Sequence, residues 1–191
     1  TRRSSDLKVV FIECVKNGSL DNINIKDKYF LLIILSEGTL EFTAGGNNIC
    51  ATAPSILCFD ESENPVLVSK SKAQYTCVYF HPKFLNINMS FELLRSNKYD
   101  AIATIHDMFM LKPFIDKVYA MPIFDTHVEK IKHAADHMME ELEEQQDWYW
   151  ACRARSYFME IIIALERIYG LMDYGLACQK SDNTPIIKNP K

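Results

Sequence analysis

Short apolar runs separated by turn-forming residues fill the first part of the chain. Residues 29–35 form a continuous apolar run, as expected for a buried strand, and residues 39–44 form a second run after the turn-forming segment 36–38. The segment GGNN at 45–48 predicts a hairpin turn, because glycine and asparagine tolerate positive φ angles. Further strands are predicted at residues 49–53, 55–59, 66–69 and 74–80. Strands this short and closely spaced favour a sandwich or a small barrel.

Beyond position 123, apolar residues recur every three or four positions, which predicts two amphipathic helices. The first begins near Phe124, and the second covers residues 147–169 and is expected to stop at Gly170. Because the link at residues 144–147 is short and polar, the two helices are predicted to form an antiparallel hairpin. The apolar positions that recur along the second helix are Ala154, Phe158, Ile161, Leu165 and Ile168.

These patterns predict an α+β fold in which a small β-barrel is followed by a helix hairpin. The barrel is expected in residues 1–82, an irregular connection with short helices in 83–122, and the hairpin in 123–176. Residues 177–191 are mostly polar and contain Pro185 and Pro190, which is typical of a linker. The N-terminal arm is expected to form an edge strand or to cross the opening of the barrel.

Composition narrows the classes of function. The 191 residues are 48% hydrophobic, enough to bury the core of one domain. The formal net charge of −4 leaves no broad basic face with which this chain alone could bind nucleic acid. The six cysteines include no CxxC pair and lie mostly in apolar runs, which indicates a reducing compartment. With no leader pattern and no run long enough to cross a bilayer, we expect a cytoplasmic protein without a membrane partner.

Two segments and the order of the parts resemble a known family. The segment LLIILSEGTLEF at 31–42 places a glycine-centred turn after an apolar strand, and VYFHPKFL at 78–85 closes the last strand. Followed by a helix hairpin and a linker, they resemble the N-terminal ligand-binding and dimerisation domain of AraC-type transcription regulators. The resemblance implies a cupin-like barrel that senses a small-molecule effector. It also implies a homodimer whose DNA contacts are made by helix-turn-helix units beyond Lys191.

Histidine placement bears on the alternative of an enzyme. Catalytic cupins hold a metal with two or three histidines and a carboxylate, whereas the barrel region here contains His81 alone. We therefore expect no catalytic residues, no cofactor and no metal site, and a metal-free cupin-type enzyme acting on a small molecule is the alternative. His133 and His137 lie one helical turn apart, which fits either a metal pair or two solvent-facing residues on a polar stripe.

Four residues are candidates for an apolar ligand pocket with one hydroxyl group for orientation: Phe42, Cys50, Cys58 and Tyr79. The alternative is that they only fill the barrel, since the sequence leaves open which face of each strand points inward. An effector held by such a wall would be small and at least partly apolar.

The second predicted helix has a broad apolar face that needs more than one neighbour. Either the helix is buried between the barrel and the first helix, or part of it contacts a second copy of the chain. On the second interpretation, the dimer interface comprises Ala154, Phe158, Ile161, Leu165 and Ile168. That interpretation predicts a soluble monomer when Ile161 and Leu165 are both replaced by glutamate.

Overall fold

The computed structural model describes residues 11–20, 29–96 and 107–181. Its strands are β1 (Ile12–Lys16), β2 (Phe30–Ala44), β3 (Asn47–Thr52), β4 (Ser55–Phe59), β5 (Val66–Phe80) and β6 (Ala120–Pro122). Its helices are α1 (Phe91–Ser96), α2 (Lys112–Ile115), α3 (Asp125–Glu144) and α4 (Trp150–Ser181), with a 3-10 turn at Pro82–Phe84. The chain is therefore α+β, as predicted.

The six strands form one antiparallel sheet in the order β1, β5, β2, β4, β6. β4 pairs with the first half of β2, and β3 pairs with the second half. β1 and β6 lie at opposite ends of this path, and no pairing in the described ranges joins them. The sheet is therefore not closed, and the predicted cupin barrel is not confirmed.

The two central strands are longer than the sequence pattern predicts. β2 and β5 have 15 residues each, and each joins two runs that are predicted as separate strands. The expected turn at 36–38 is a bulge, because the register between β2 and β5 shifts on both sides of Glu37. Gly38 has φ 75°, and Lys72 on β5 has φ 47°. A bulge bends and twists a strand without ending its pairing.

The bulge reverses which residues of β2 face each side of the sheet. Leu31 and Leu35 precede the bulge, Leu40 and Phe42 follow it, and all four belong to one buried cluster, here called the sheet cluster. The change from odd to even positions follows from the shift in register, since side chains alternate along a strand. The sheet cluster is built mainly from β2 to β5, so both halves of the bent strands contribute to one core.

The other face of the sheet is covered by helices. Phe30 of β2 and Phe80 of β5 both pack against Phe114 of α2, with ring centroids 4.9 and 5.4 Å apart. Phe80 also packs against Phe158 of α4 at 4.7 Å. Together with the buried residues of α3, these side chains form a second core, here called the helix cluster. The sheet therefore separates two hydrophobic cores.

The hairpin turn predicted at 45–48 is confirmed. The β2 and β3 pairing ends at Ala44 opposite Asn47. Gly45 and Gly46 between them have φ 54° and 80°. A two-residue turn with positive φ at both positions matches the twist of the flanking strands.

The two long helices α3 and α4 pack against each other and are joined by residues 145–149. Gln145 ends α3 in the left-handed conformation, with φ 46°. Arg153 of α4 bonds Glu141 of α3 at 2.8 Å and Asp147 of the connection at 3.0 Å. The expected stop at Gly170 is wrong, because α4 continues to Ser181. A glycine inside a helix costs only about 1 kcal/mol, which packing on both sides of it can offset.

The predicted division of the chain also needs correction. β6 lies in the expected connection, residues 83–122, and pairs with β4, so this region adds a strand to the sheet. The first residues of the expected linker, 177–181, belong to α4. β1 is an edge strand, whereas residues 1–10 of the arm and 182–191 of the linker lie outside the described residues.

We expect Gly38→Ala to destabilise the protein by at least about 2 kcal/mol. A Cβ atom at this position would overlap the Ser71 carbonyl oxygen, and the left-handed backbone disfavours alanine. Gly170→Ala is the matched control, because nothing lies within 4 Å of its added Cβ and alanine favours a helix. In urea unfolding, Gly38→Ala should be less stable than the wild type and Gly170→Ala more stable. Equal stabilities would contradict the role assigned to Gly38.

Candidate functional site

A surface cleft of about 270 Å³ opens beside the end of β4. Its walls come from the loop after β4, from α1 and from the segment that includes the end of α2. The apolar lining residues are Phe30, Phe91, Leu94 and Ile115, and the polar ones are Asp60, Glu61, Ser62, Arg95 and Lys117. This volume is near the lower limit of small-molecule pockets.

The loop after β4 is held in a tight turn by Asp60. Asp60 Oδ1 accepts hydrogen bonds from the Ser62 amide at 2.8 Å and from the Ser62 hydroxyl at 2.6 Å. The Asp60 carbonyl accepts a further bond from the Glu63 amide at 3.2 Å. Aspartate favours such turns because its short side chain reaches the backbone two residues later. The turn places Asp60 and Glu61 on the wall of the cleft.

Arg95 of α1 forms ion pairs with both carboxylates of this wall. Its Nη2 atom contacts Glu61 Oε1 and lies 3.7 Å from Asp60 Oδ2. Burial raises the pKa of Glu61, although a backbone hydrogen bond and the charge of Arg95 oppose the change. The short helix α1 is therefore connected to the loop after β4 by charge.

Glu63 is the most deeply buried carboxylate of the same loop. Its side chain is only 3% exposed, lies 3.5 Å from Lys117 Nζ, and accepts a hydrogen bond from the Tyr119 hydroxyl. Burial and the Glu63 carboxylate raise the pKa of Tyr119 to about 12, so its hydroxyl stays protonated as a donor. Gly45 approaches this pair closely, since a Cβ there would lie 2.8 Å from the Tyr119 oxygen. The turn between β2 and β3 thus abuts the loop that lines the cleft.

A row of four aromatic rings joins the cleft to α4. Phe91 of α1 packs against Phe30 with ring centroids 4.9 Å apart, and Phe30 packs against Phe80 at 5.4 Å. Phe80 then packs against Phe158 of α4 at 4.7 Å. The cleft and the long helix therefore belong to one continuous core.

The structure does not bring the four predicted ligand residues together. Phe42 is buried in the sheet cluster and Tyr79 packs against it, and burial raises the pKa of Tyr79 to about 12. Cys58 lies in the helix cluster on the other face of the sheet, and Cys50 is exposed. The four residues therefore do not form one wall, because neighbouring positions of a strand point to opposite faces.

The predicted dimer residues are also placed differently. Ala154, Phe158, Ile161, Leu165 and Ile168 are fully buried in the helix cluster of a single chain. They pack against the sheet and α3, so they cannot contact a second copy while the chain is folded. The apolar face of the second helix is core, which was the other interpretation of its width.

The two histidines at one-turn spacing lie side by side. The ring centroids of His133 and His137 are 4.2 Å apart, and His137 also stacks on Tyr157 at 5.4 Å. His137 Nδ1 lies 3.1 Å from Glu140 Oε2. Within the described part of the chain, no group of three potential ligands among His, Cys, Asp and Glu is arranged to hold a metal ion.

Sequence reasoning missed the residues that line the cleft. The run Asp60-Glu61-Ser62-Glu63 is visible in the sequence as a polar loop between two strands. Its partners Arg95 and Lys117 follow far along the chain, with no spacing that would connect them to the loop. The density of carboxylates in a short loop was the one available signal.

No protein-family model matches this chain, and no curated protein matches it. Among the described helices, none is both long and apolar enough to cross a membrane.

We expect Ile161→Glu combined with Leu165→Glu to abolish folding, since each substitution buries a charge in a packed core, which costs about 4 kcal/mol or more. Ile163→Glu is the matched control, because Ile163 is 38% exposed on the same helix. Circular dichroism should show lost helix content for the double variant only. A folded, monomeric double variant would instead support the interface predicted from the sequence.

We expect Tyr119→Phe to destabilise the protein by about 1–3 kcal/mol, because the buried Glu63 carboxylate loses a hydrogen-bond donor. Tyr149→Phe is the control, since this ring is 69% exposed and its loss should change stability by less than about 0.5 kcal/mol. Urea unfolding at neutral pH measures both. Equal stability of the two variants would show that the bond to Glu63 does not stabilise the fold.

Proposed function

We propose that this chain is the effector-sensing and dimerisation domain of an AraC-type transcription regulator, in which a small molecule bound by the domain controls a DNA-binding domain beyond Lys191. In this proposal the bent sheet is a cupin-like barrel left open, and α3 and α4 form the helix hairpin. The observation that carries it is the continuous packing of Phe91, Phe30, Phe80 and Phe158 from a small cleft to a long helix.

The cleft supports a sensing role. It is small, it combines an apolar wall with charged groups, and this combination orients a ligand in a binding site. A ligand that favours one position of α1 over another would shift the population of the arrangements that the domain adopts. Since the interior is densely packed, a displaced Phe91 must be accommodated by the rings behind it. The last ring of this row is Phe158, so a displacement that starts at Phe91 reaches α4.

The outer face of α4 supports dimerisation. It carries Ile163 and Leu171, which are 38% and 58% exposed. The exposed residue Glu160 precedes Ile163, and the exposed residue Arg167 lies between Ile163 and Leu171. Ile163, Arg167 and Leu171 follow one another at four-residue steps and therefore share one side of the helix. This face replaces the buried residues as the interface of the proposed homodimer.

The charges on this face are arranged for an antiparallel pair. Glu160 and Arg167 lie at equal distances on either side of the midpoint between Ile163 and Ala164. When a second copy packs α4 against α4 about a two-fold axis at that midpoint, Glu160 of each copy faces Arg167 of the other. The two pairs lie about 10 Å apart along the helix, with Ile163 between them and Leu171 beyond Arg167. A second copy of this chain is therefore the occupant we propose.

Charge reversal tests the dimer. We expect Glu160→Arg and Arg167→Glu each to weaken the dimer, because like charges then meet across the axis, and the double variant to restore it. Sedimentation velocity over a range of concentrations measures the dissociation constant of each variant. Glu129→Arg on the exposed side of α3 is the control and should leave it unchanged. A monomeric wild type, or a double variant weaker than both single variants, would contradict this interface.

The natural reading frame beyond Lys191 tests the assignment as a regulator. We expect a basic continuation with two helix-turn-helix patterns, since the charge of −4 leaves DNA binding to another domain. A reading frame that ends near Lys191 would contradict the assignment. Turnover of a compound bound by the chain would favour the competing function, a metal-free cupin-type enzyme.

A further inference from the structure

The charges of the cleft are distributed unevenly between its interior and its rim. The side chains of Asp60 and Glu61 are only 10% and 13% exposed, whereas Arg95, which faces both, is 55% exposed. Glu63 lies deeper still, and its cation Lys117 is 47% exposed. Among the residues that line the cleft, the carboxylates of Asp60 and Glu61 are therefore enclosed, whereas the cations Arg95 and Lys117 lie at the rim. The negative charge of the cleft lies in its interior and the positive charge at its rim.

One carboxylate oxygen has room for another donor. Asp60 Oδ1 accepts two hydrogen bonds from Ser62, whereas the contact of Oδ2 within the described residues is the ion pair with Arg95 at 3.7 Å, which is too long for a hydrogen bond. A donor placed beside Arg95 could therefore bond this oxygen. Donors attached to a positive charge form the strongest such bonds with carboxylates.

The remaining wall is apolar and partly aromatic. Phe30, Phe91, Leu94 and Ile115 line the cleft beside the carboxylates. Ile115, which is 37% exposed, suits the hydrocarbon body of a ligand, and Phe91 and Phe30, which are 7% and 1% exposed, close the wall behind it. The volume of about 270 Å³ restricts the occupant to a small molecule.

We propose that the cleft binds a small organic cation with an apolar body, such as an arylalkylamine, whose charged head lies beside Arg95 against Asp60 and Glu61 and whose body packs on Ile115 and the exposed edge of Phe91. This inference rests on the proposed sensing function and names the class of effector.

An anionic ligand fits this cleft less well. Its partners would be Arg95 and Lys117, and both already pair with carboxylates of the protein. To bind, the anion would separate these pairs and leave Asp60, Glu61 or Glu63 enclosed without a cation, which is costly. A cation adds to the existing pairs and leaves no enclosed carboxylate without a cation.

Three probes of equal length test the charge. Isothermal titration calorimetry at pH 7 compares 4-phenylbutylamine, 4-phenylbutan-1-ol and 4-phenylbutyrate with the full chain. We expect the amine to bind most tightly and the carboxylate least tightly. Tighter binding of the alcohol or the carboxylate would overturn the proposal, as would failure of all three to bind.

Two variants of the cleft should change amine binding in opposite directions. Glu61→Gln removes one carboxylate and should weaken the amine by about tenfold, with little effect on the alcohol. Arg95→Gln removes the cation that shares the site and should therefore strengthen binding of the amine. Glu129→Gln and Lys132→Gln, on the exposed side of α3, are the matched controls. Unchanged amine affinity in Glu61→Gln, or weaker binding in Arg95→Gln, would overturn the proposal.

Ile115→Trp separates this proposal from the proposed function. A tryptophan should fill the cleft and prevent binding of every probe that uses it. If the alcohol or the carboxylate binds best and this variant abolishes its binding, the cleft remains a small-molecule site and only the charge class is wrong. The state of the dimer is measured separately, so its failure would count against the proposed function alone. Circular dichroism confirms that each variant is folded.

Discussion

The close approach of Gly38 to the backbone of β5 determines the shape of the sheet. Where β2 passes Ser71 and Lys72 there is no space for a side chain, and the left-handed conformation of Gly38 lets the strand bend while its pairing continues. The bend allows both halves of β2 to serve one core. It also leaves the opposite face of the sheet free for the helices. The two cores and the cleft beside them all depend on this one position.

A second glycine connects the bent sheet to the cleft. Gly45 in the turn between β2 and β3 lies against Tyr119, which in turn bonds the buried Glu63. The loop that carries Asp60 and Glu61 therefore packs through Glu63 and Tyr119 against the hairpin turn, and Glu63 also forms an ion pair with Lys117. Asp60 cannot turn towards water without losing its two bonds to Ser62, and Glu61 is paired with Arg95. Enclosed carboxylates opposite an exposed cation suit a site whose specificity comes from charge.

Local signals in the sequence were sufficient to predict the segments of β2 to β5 and the two long helices, but not β6 and not the boundaries or partners of the elements. The hairpin at Gly45-Gly46 was predictable because its backbone angles depend on those two residues alone. The bulge at Gly38 resembles a turn in the sequence, since only the backbone of β5, more than thirty residues away, shows that pairing continues. Likewise Ile161 and Leu165 have the pattern of an interface, and only packing against the sheet and α3 identifies them as core. The cleft depends on residues from three separate segments, so its composition required the tertiary structure.

The cysteines of the folded chain differ in solvent exposure and therefore in the reactivity of their thiol groups. Among the five whose side chains the structure describes, Cys50 on β3 and Cys152 on α4 are exposed, whereas Cys58 and Cys77 are buried. Burial raises the pKa of Cys77 to about 12 and that of Cys58 well above its ordinary value, which suppresses the reactive thiolate. Thiol-directed probes would therefore distinguish the surface of the folded chain from its interior. Cys50 and Cys152 offer native attachment points on the sheet and on the helix layer, so a distance measured between them would report directly on movement of one layer against the other.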